Sequence, residues 1–103
     1  SAMRIHLSRL TTMYAAYQLD KGEKARKEIS MAKVQVADTL NNVIDTCIQL
    51  CGAKGYSKDT LLEWMYRYAR SAKLVDGASE VHKMVLSRTY MKERQDFWKW
   101  PIK

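Results

Sequence analysis

The sequence predicts an all-α chain, an up-and-down antiparallel bundle of four helices. Three observations predict it. One Pro and four Gly among 103 residues leave long runs of Ala, Leu, Met, Lys, Glu and Arg, the residues best suited to a helix. Apolar residues recur at intervals of three and four, which gathers them on one helical face, and no stretch alternates as a half-buried strand does. Turn signals at Gly22, at Gly52 to Ser57 and at Asp76-Gly77 divide the chain into four such segments.

The first helix is expected from Arg4 to Asp20, with Leu7, Leu10, Met13 or Tyr14, and Tyr17 on its apolar stripe. Ser1-Ala2-Met3 is set aside as a remnant of expression, leaving residues 4–103 as a single domain. No capping sequence precedes the helix, so it is expected to begin inside a longer one. His6 lies within it, exposed or half-buried. The second and strongest helix spans Glu23 to Leu50, about 40 Å at 1.5 Å per residue, with Ala25, Ile29, Ala32, Val36, Leu40, Val43, Cys47 and Leu50 facing the core. Gly52 ends it, and Gly55 and Ser57 mark a loop.

Thr60-Leu61-Leu62-Glu63 has the pattern of a capping box, in which hydroxyl and carboxylate each satisfy a free N–H at a helix start. The third helix then runs from Leu61 to about Lys73 and is expected to bury Leu62, Met65, Tyr66 and Ala69, with Trp64 off the stripe. Asp76-Gly77 reads as a tight turn in which Gly takes a positive φ. Ser79 is the expected N-cap of a fourth helix ending near Asp96 that buries Val81, Met84, Val85 and Met91, and His82 on it reads as a partly buried packing residue. Phe97-Trp98-Lys99-Trp100-Pro101 closes the chain as an aromatic patch suited to docking.

A chain of this length supports one modest core. The net charge of +7 favours an anionic contact, but the 18 basic residues are scattered through every segment, which argues against nucleic acid. No stretch reaches membrane-spanning length, and nothing at the N-terminus resembles a signal peptide. An intracellular setting is expected, cytoplasmic if bacterial and mitochondrial or peroxisomal if eukaryotic. Cys47 and Cys51 share a helical face too far apart for an unstrained disulfide, and two thiols do not make a zinc set. They read as small core residues in a reducing compartment, and no metal site is expected.

Several motifs stand in order at matching separations: Met31-Ala32-Lys33, then Gln49 with Gly52 and Gly55, then Arg67 with Ala69 and Arg70, then Asp76-Gly77. In this the chain, from about Leu7 to Arg88, resembles the C-terminal helical domain of acyl-CoA dehydrogenases. The Ala25 to Met31 run and the Asp-Gly-x-x-Glu-Val-His pattern of residues 76 to 82 look closest to a branch whose catalytic base is Asp. The resemblance implies a truncated C-terminal domain of an FAD-dependent enzyme, lacking that family's N-terminal helical and middle β domains and inactive by itself. It implies that Asp76 removes the proton α to the thioester of an acyl-CoA substrate, with Asp76 and Gly77 at the substrate. Gln49, Leu50, Cys51, Gly52 and Ala53 would approach the adenosine end of the FAD of a neighbouring subunit, and Ala78, Ser79 and Glu80 would touch FAD in the same subunit. The implied partners are a homo-oligomer and electron-transferring flavoprotein, and the isolated chain is not expected to hold FAD.

Four positions depart from the family pattern, the first being Asp76 itself, one methylene shorter than the usual Glu. Ala53 replaces a Gly, Tyr68 an Asp, and Ala78 a Thr whose hydroxyl contacts flavin. The rival reading from another class is a non-enzymatic helical oligomerisation or adaptor module. Whether Asp76 faces a cleft or closes an exposed turn is the geometric discriminator.

Overall fold

The computed structural model describes residues 1–97 as five helices: α1 (Ala2–Asp20), α2 (Arg26–Cys51), α3 (Ala53–Tyr56), α4 (Leu62–Ser71) and α5 (Ser79–Phe97). There is no strand among the described residues. Trp98, Trp100 and Pro101, with the docking role expected of that terminus, lie outside them. The four long helices are those the apolar periodicity predicts.

Their ends differ from expectation for local reasons. Glu23, Lys24 and Ala25 are not helical, because Ala25 takes the left-handed conformation at φ 48° and the chain reverses there before α2 begins. At the far end Gly52 adopts φ 60°, ψ −143°, a combination open essentially to Gly alone, and breaks the helix. One further helical turn, α3, follows where a loop is expected. Gly55 is buried within it, and a Cβ there would lie 2.8 Å from Cys51 Cβ and 3.0 Å from the Ile48 carbonyl oxygen. Only a Gly lets α3 fold back this closely. The capping box does not form: the Leu62 N–H donates to Thr60 Oγ1 at 3.3 Å, closing a turn, and the residue capping α4 is Leu61 with no side-chain bond.

α2 is the common partner of every other helix. α1 returns along it, so that Ser8 Oγ donates to Thr39 Oγ1 at 2.9 Å. α4 also runs antiparallel to it, with Asn41 Nδ2 donating to the Ala69 carbonyl at 2.8 Å and Lys73 paired to Asp38 at 3.1 Å. α5 crosses its first turns, setting His82 beside Ser30, Tyr90 beside Met31 and Glu93 beside Lys27. The backbones of α1, α4 and α5 do not approach one another. The shape is therefore open, with a radius of gyration of 17.4 Å where a compact domain of this length has ~13 Å.

This arrangement corrects much of the expected core. The buried residues are small: Ala15, Ala25, Ala32, Ala37 and Ala69, with Ile44 and the hydroxyl residues Ser8, Ser30, Thr39 and Ser79. Leu7, Leu10, Met13, Tyr14 and Tyr17 of α1 are all at least half exposed. Met65 and Tyr66 of α4, Val81, Met84 and Met91 of α5, and Ile29, Val36 and Leu50 of α2 are exposed as well, while Leu62 and Val85 are half-buried. A helix with one neighbour buries only the narrow strip that faces it, and small residues on that strip bring the backbones close. The remainder lines surface, including an apolar groove of about 550 Å³ walled by Ile5, Met13, Val36, Leu40, Val43 and Met65.

Candidate functional site

The segment from Ala72 to Ala78 joins α4 to α5 and carries Asp76 and Gly77 at φ 54° and 87°. Two successive left-handed residues make a sharp reversal, which Gly adopts freely and Asp tolerates better than most residues. The reversal is fastened on several sides. The Leu74 and Val75 N–H groups donate to the Ser71 carbonyl at 2.8 and 3.0 Å, and the Ser79 N–H donates to the Lys73 carbonyl at 3.0 Å. Lys33 reaches across from α2 and donates its Nζ to the carbonyls of Ala72 and, at 2.9 Å, Val75.

His82 supplies the remaining fastening. Its Nε2 lies 3.3 Å from the Asp76 carbonyl oxygen and its Nδ1 lies 3.1 Å from the Ser30 hydroxyl oxygen. A carbonyl can only accept, so the proton sits on Nε2 and the Ser30 hydroxyl donates to Nδ1 in the neutral ring. The residue is partly buried, as the sequence suggests, but it is a polar bridge as well as a packing group. The ring also fills the space over Gly77, where a Cβ would meet Nε2 at 2.8 Å.

The Asp76 side chain is exposed and makes no hydrogen bond or ion pair among the described residues, nor does its N–H donate to any protein acceptor there. The residue lines neither the apolar groove nor a second cleft of about 670 Å³ whose walls include Asp45, Ile48, Tyr56, Lys58, Glu63 and Arg67. It stands on an exposed turn outside both. What the turn offers is a carboxylate and a backbone donor on one residue, both free among the described residues, on a backbone that is tied down.

The second group lies elsewhere. Gln49, Leu50, Cys51, Gly52 and Ala53 are all exposed at the C-terminal end of α2, and the stretch of helix from Lys33 to Cys51 separates them from the turn by about 27 Å. A Cβ on Gly52 would meet nothing within 4 Å, so a ligand has open access to the backbone there. Ala78 is half-buried and has no hydroxyl, Ser79 is buried with its N–H already donated, and Glu80 is exposed. These last three present a carboxylate and little else.

Other candidates resolve simply. Cys47 is half-buried, whereas Cys51 is exposed and so is not the core residue expected; both are free thiols. His6, Arg67 and Arg70 are exposed. Among the described residues no three His, Cys, Asp or Glu side chains gather as a metal site, and no helix is long and apolar enough to cross a membrane. Sequence reasoning missed Ser30 and Lys33 as functional residues. Their only signal is that Lys33 ends the Met31-Ala32-Lys33 motif and Ser30 stands directly before it.

Comparison with known proteins bears on the family. The model of the acyl-CoA dehydrogenase C-terminal domain matches residues 1–97. The chain is 37% identical over 89 residues to 3-(aryl)acrylate reductase of Clostridium sporogenes (strain ATCC 15579), covering 86% of this chain and 24% of that protein. It is 40% identical over 88 residues to acyl-CoA dehydrogenase family member 11 of Gallus gallus, covering 84% of this chain and 11% of the relative. Among solved structures, a provisionally named acyl-CoA dehydrogenase from Mycobacterium abscessus superposes with a TM-score of 0.86 at 33% identity, covering 90% of this chain and 23% of that one. The chain thus spans about a quarter or less of the length of these relatives. With the match running through every described helix and the fold shared, this chain belongs to the acyl-CoA dehydrogenase family as its C-terminal domain.

Proposed function

We propose that this chain supplies the catalytic base, part of the FAD surface and subunit contacts to a flavoenzyme that oxidises the α,β carbon–carbon bond of an acyl-CoA thioester. The observation that carries the reading is Asp76, with a free carboxylate and a free N–H on a turn fastened to α2 and α5. The carboxylate takes the proton α to the thioester carbonyl. The electron pair left behind moves toward the carbonyl oxygen, where the Asp76 N–H stabilises the developing charge. Bound FAD supplies acceptance of hydride from the β carbon.

Exposure of Asp76 in this chain is consistent with that role. The substrate and the remaining domains would close over the turn, and the desolvation they bring makes a carboxylate more basic. Gln49 to Ala53 would hold the adenosine end of the FAD of a neighbouring subunit, which accounts for their distance from the turn. The chain alone, with one edge of the cofactor surface, would hold FAD weakly and would not turn over. Electron-transferring flavoprotein is the proposed acceptor of the reduced enzyme's electrons.

Asp76→Asn in the holoenzyme that carries this chain tests the base. Asn keeps size and turn propensity but cannot take the proton, so reduction of the flavin by acyl-CoA should slow roughly 10²- to 10⁴-fold while FAD content holds. Asp76→Glu should retain more activity than Asn. Near-wild-type reduction by the Asn variant would sink the assignment and favour the rival oligomerisation or adaptor reading, which the exposure of the turn also suits.

A further inference from the structure

The geometry points to Lys33 and the His82–Ser30 pair as positioning residues that together set both backbone dihedrals of Asp76, and so the direction in which its carboxylate and N–H are presented. The inference rests on the proposed role of Asp76 as the base. It starts from which carbonyls the two side chains hold. Lys33 Nζ donates to the Val75 carbonyl at 2.9 Å, and His82 Nε2 donates to the Asp76 carbonyl at 3.3 Å. The first carbonyl belongs to the peptide plane before the Asp76 Cα and the second to the plane after it. Rotation about φ turns the one plane against Cα, and rotation about ψ turns the other. With both carbonyls held, neither dihedral is free.

The holding groups share one foundation. Lys33 is itself on α2, and His82 is fixed to α2 through Ser30, one helical turn away, by the 3.1 Å bond at Nδ1. Ser30 is buried at 4% exposure, so that end of the bridge is rigid. The pinned conformation is one an L-residue disfavours, φ 54°, and without external constraint a non-Gly residue there would drift toward negative φ. Such drift would swing the carboxylate and the N–H together, since both hang on the same Cα. Gly77 completes the device, because any Cβ there would displace the imidazole.

The test uses the holoenzyme with Asp76→Asn as reference. His82→Leu keeps bulk without the donor, and Lys33→Met keeps length without it. Each should lower the rate of flavin reduction about 10-fold, and the pair about 100-fold, the scale on which a misplacement of about 1 Å acts. FAD content and KM for acyl-CoA should not change. His82→Gln, whose amide nitrogen can reach the same carbonyl, should recover to within about 3-fold of wild type, which a purely structural histidine would not require. A second readout needs no cofactor: in the 103-residue chain, nitrogen NMR should find the His82 proton on Nε2, with the Asp76 and Gly77 amide resonances moved by His82→Leu and kept by His82→Gln. If Asp76→Asn abolishes reduction while His82→Leu and Lys33→Met behave as wild type, or if Gln is no better than Leu, the positioning role is overturned and the base stands. If Asp76→Asn reduces normally, the base is lost and its positioning falls with it. Should Lys33→Met fail to fold, the Leu and Gln variants of His82 decide alone.

Discussion

Gly22 and Gly77 form a matched pair in which only the surroundings differ. Both sit at φ 87°, so replacing either with Ala imposes the same left-handed penalty, roughly 1–2 kcal/mol. A Cβ on Gly22 meets nothing within 4 Å, whereas one on Gly77 meets His82 Nε2 at 2.8 Å. The half-buried imidazole can swing aside, so the contact is relieved at the expense of its bonds to Asp76 and Ser30, about 0.5–1.5 kcal/mol each. Gly77→Ala should therefore destabilise by about 1–3 kcal/mol more than Gly22→Ala. At about 4–8 °C per kcal/mol for a chain near this size, the two melting temperatures should separate by roughly 4–24 °C. Urea unfolding followed by far-ultraviolet circular dichroism measures it, and the cycle closes with both substitutions repeated in a His82→Ala background, where the difference should vanish. Equal destabilisation by the two alanines, or a difference that survives without the imidazole, would refute the reasoning.

Three further expectations follow from other parts of the fold. Gly55→Ala should cost about 1–3 kcal/mol, because its Cβ would press on Cys51 Cβ and on Ile48 backbone atoms at 2.8 to 3.1 Å that cannot move aside; a urea midpoint equal to wild type would contradict the close packing of α3. The hydrogen bond from Lys27 to Glu93, ahead of burial, which opposes it, and the attraction of the two charges, raises the lysine pKa above its ordinary 10.5. A raised folded-state pKa means the stabilisation is complete below the unfolded value and fades as pH climbs through the folded one; with side chains 28% and 48% exposed it stays below about 1 kcal/mol. Glu93→Gln should thus lower stability slightly at neutral pH and progressively less as pH climbs past the lysine's ordinary value, and a loss that does not shrink with rising pH would exclude the ion pair as its cause. The exposed apolar faces of α1 and α4, with Trp64 stacked on Tyr68 at 5.4 Å between centroids, should drive self-association, and sedimentation showing a compact monomer at high micromolar concentration would count against it.

Helix identity was legible in the sequence because it depends on local spacing, and all four long helices lie where the three-and-four intervals put them. Burial was less legible, because periodicity marks an apolar face without saying how many neighbours cover it. Leu10 and Tyr17 belong to such a face and stand in solvent, since α1 packs on α2 alone. The capping box failed for a related reason: Thr60 and Glu63 satisfy the pattern, but the hydroxyl is spent two residues on, at the Leu62 N–H. At the site, Asp76-Gly77 was readable as a turn because its chemistry is local. Lys33 and Ser30 were not, because their partners lie 39 to 52 residues away and nothing in the spacing joins them.

On the roles proposed for Gln49 to Ala53 and for the Asp76 turn, which stand at the two ends of α2, the length of that helix is more constrained than its composition. Ser30 and Lys33 hold the turn from one end, and Gly52 terminates the other. One residue inserted between them would carry the far end about 1.5 Å onward and rotate it by about 100°, turning Gln49 and Gly52 to a different side relative to Asp76. Seven inserted residues would nearly restore the angle but lengthen the separation by about 10.5 Å. No insertion keeps both distance and phase. Exposed positions along α2 are free to exchange one helix-forming residue for another, whereas the number of residues from Ser30 to Gly52 has no such latitude.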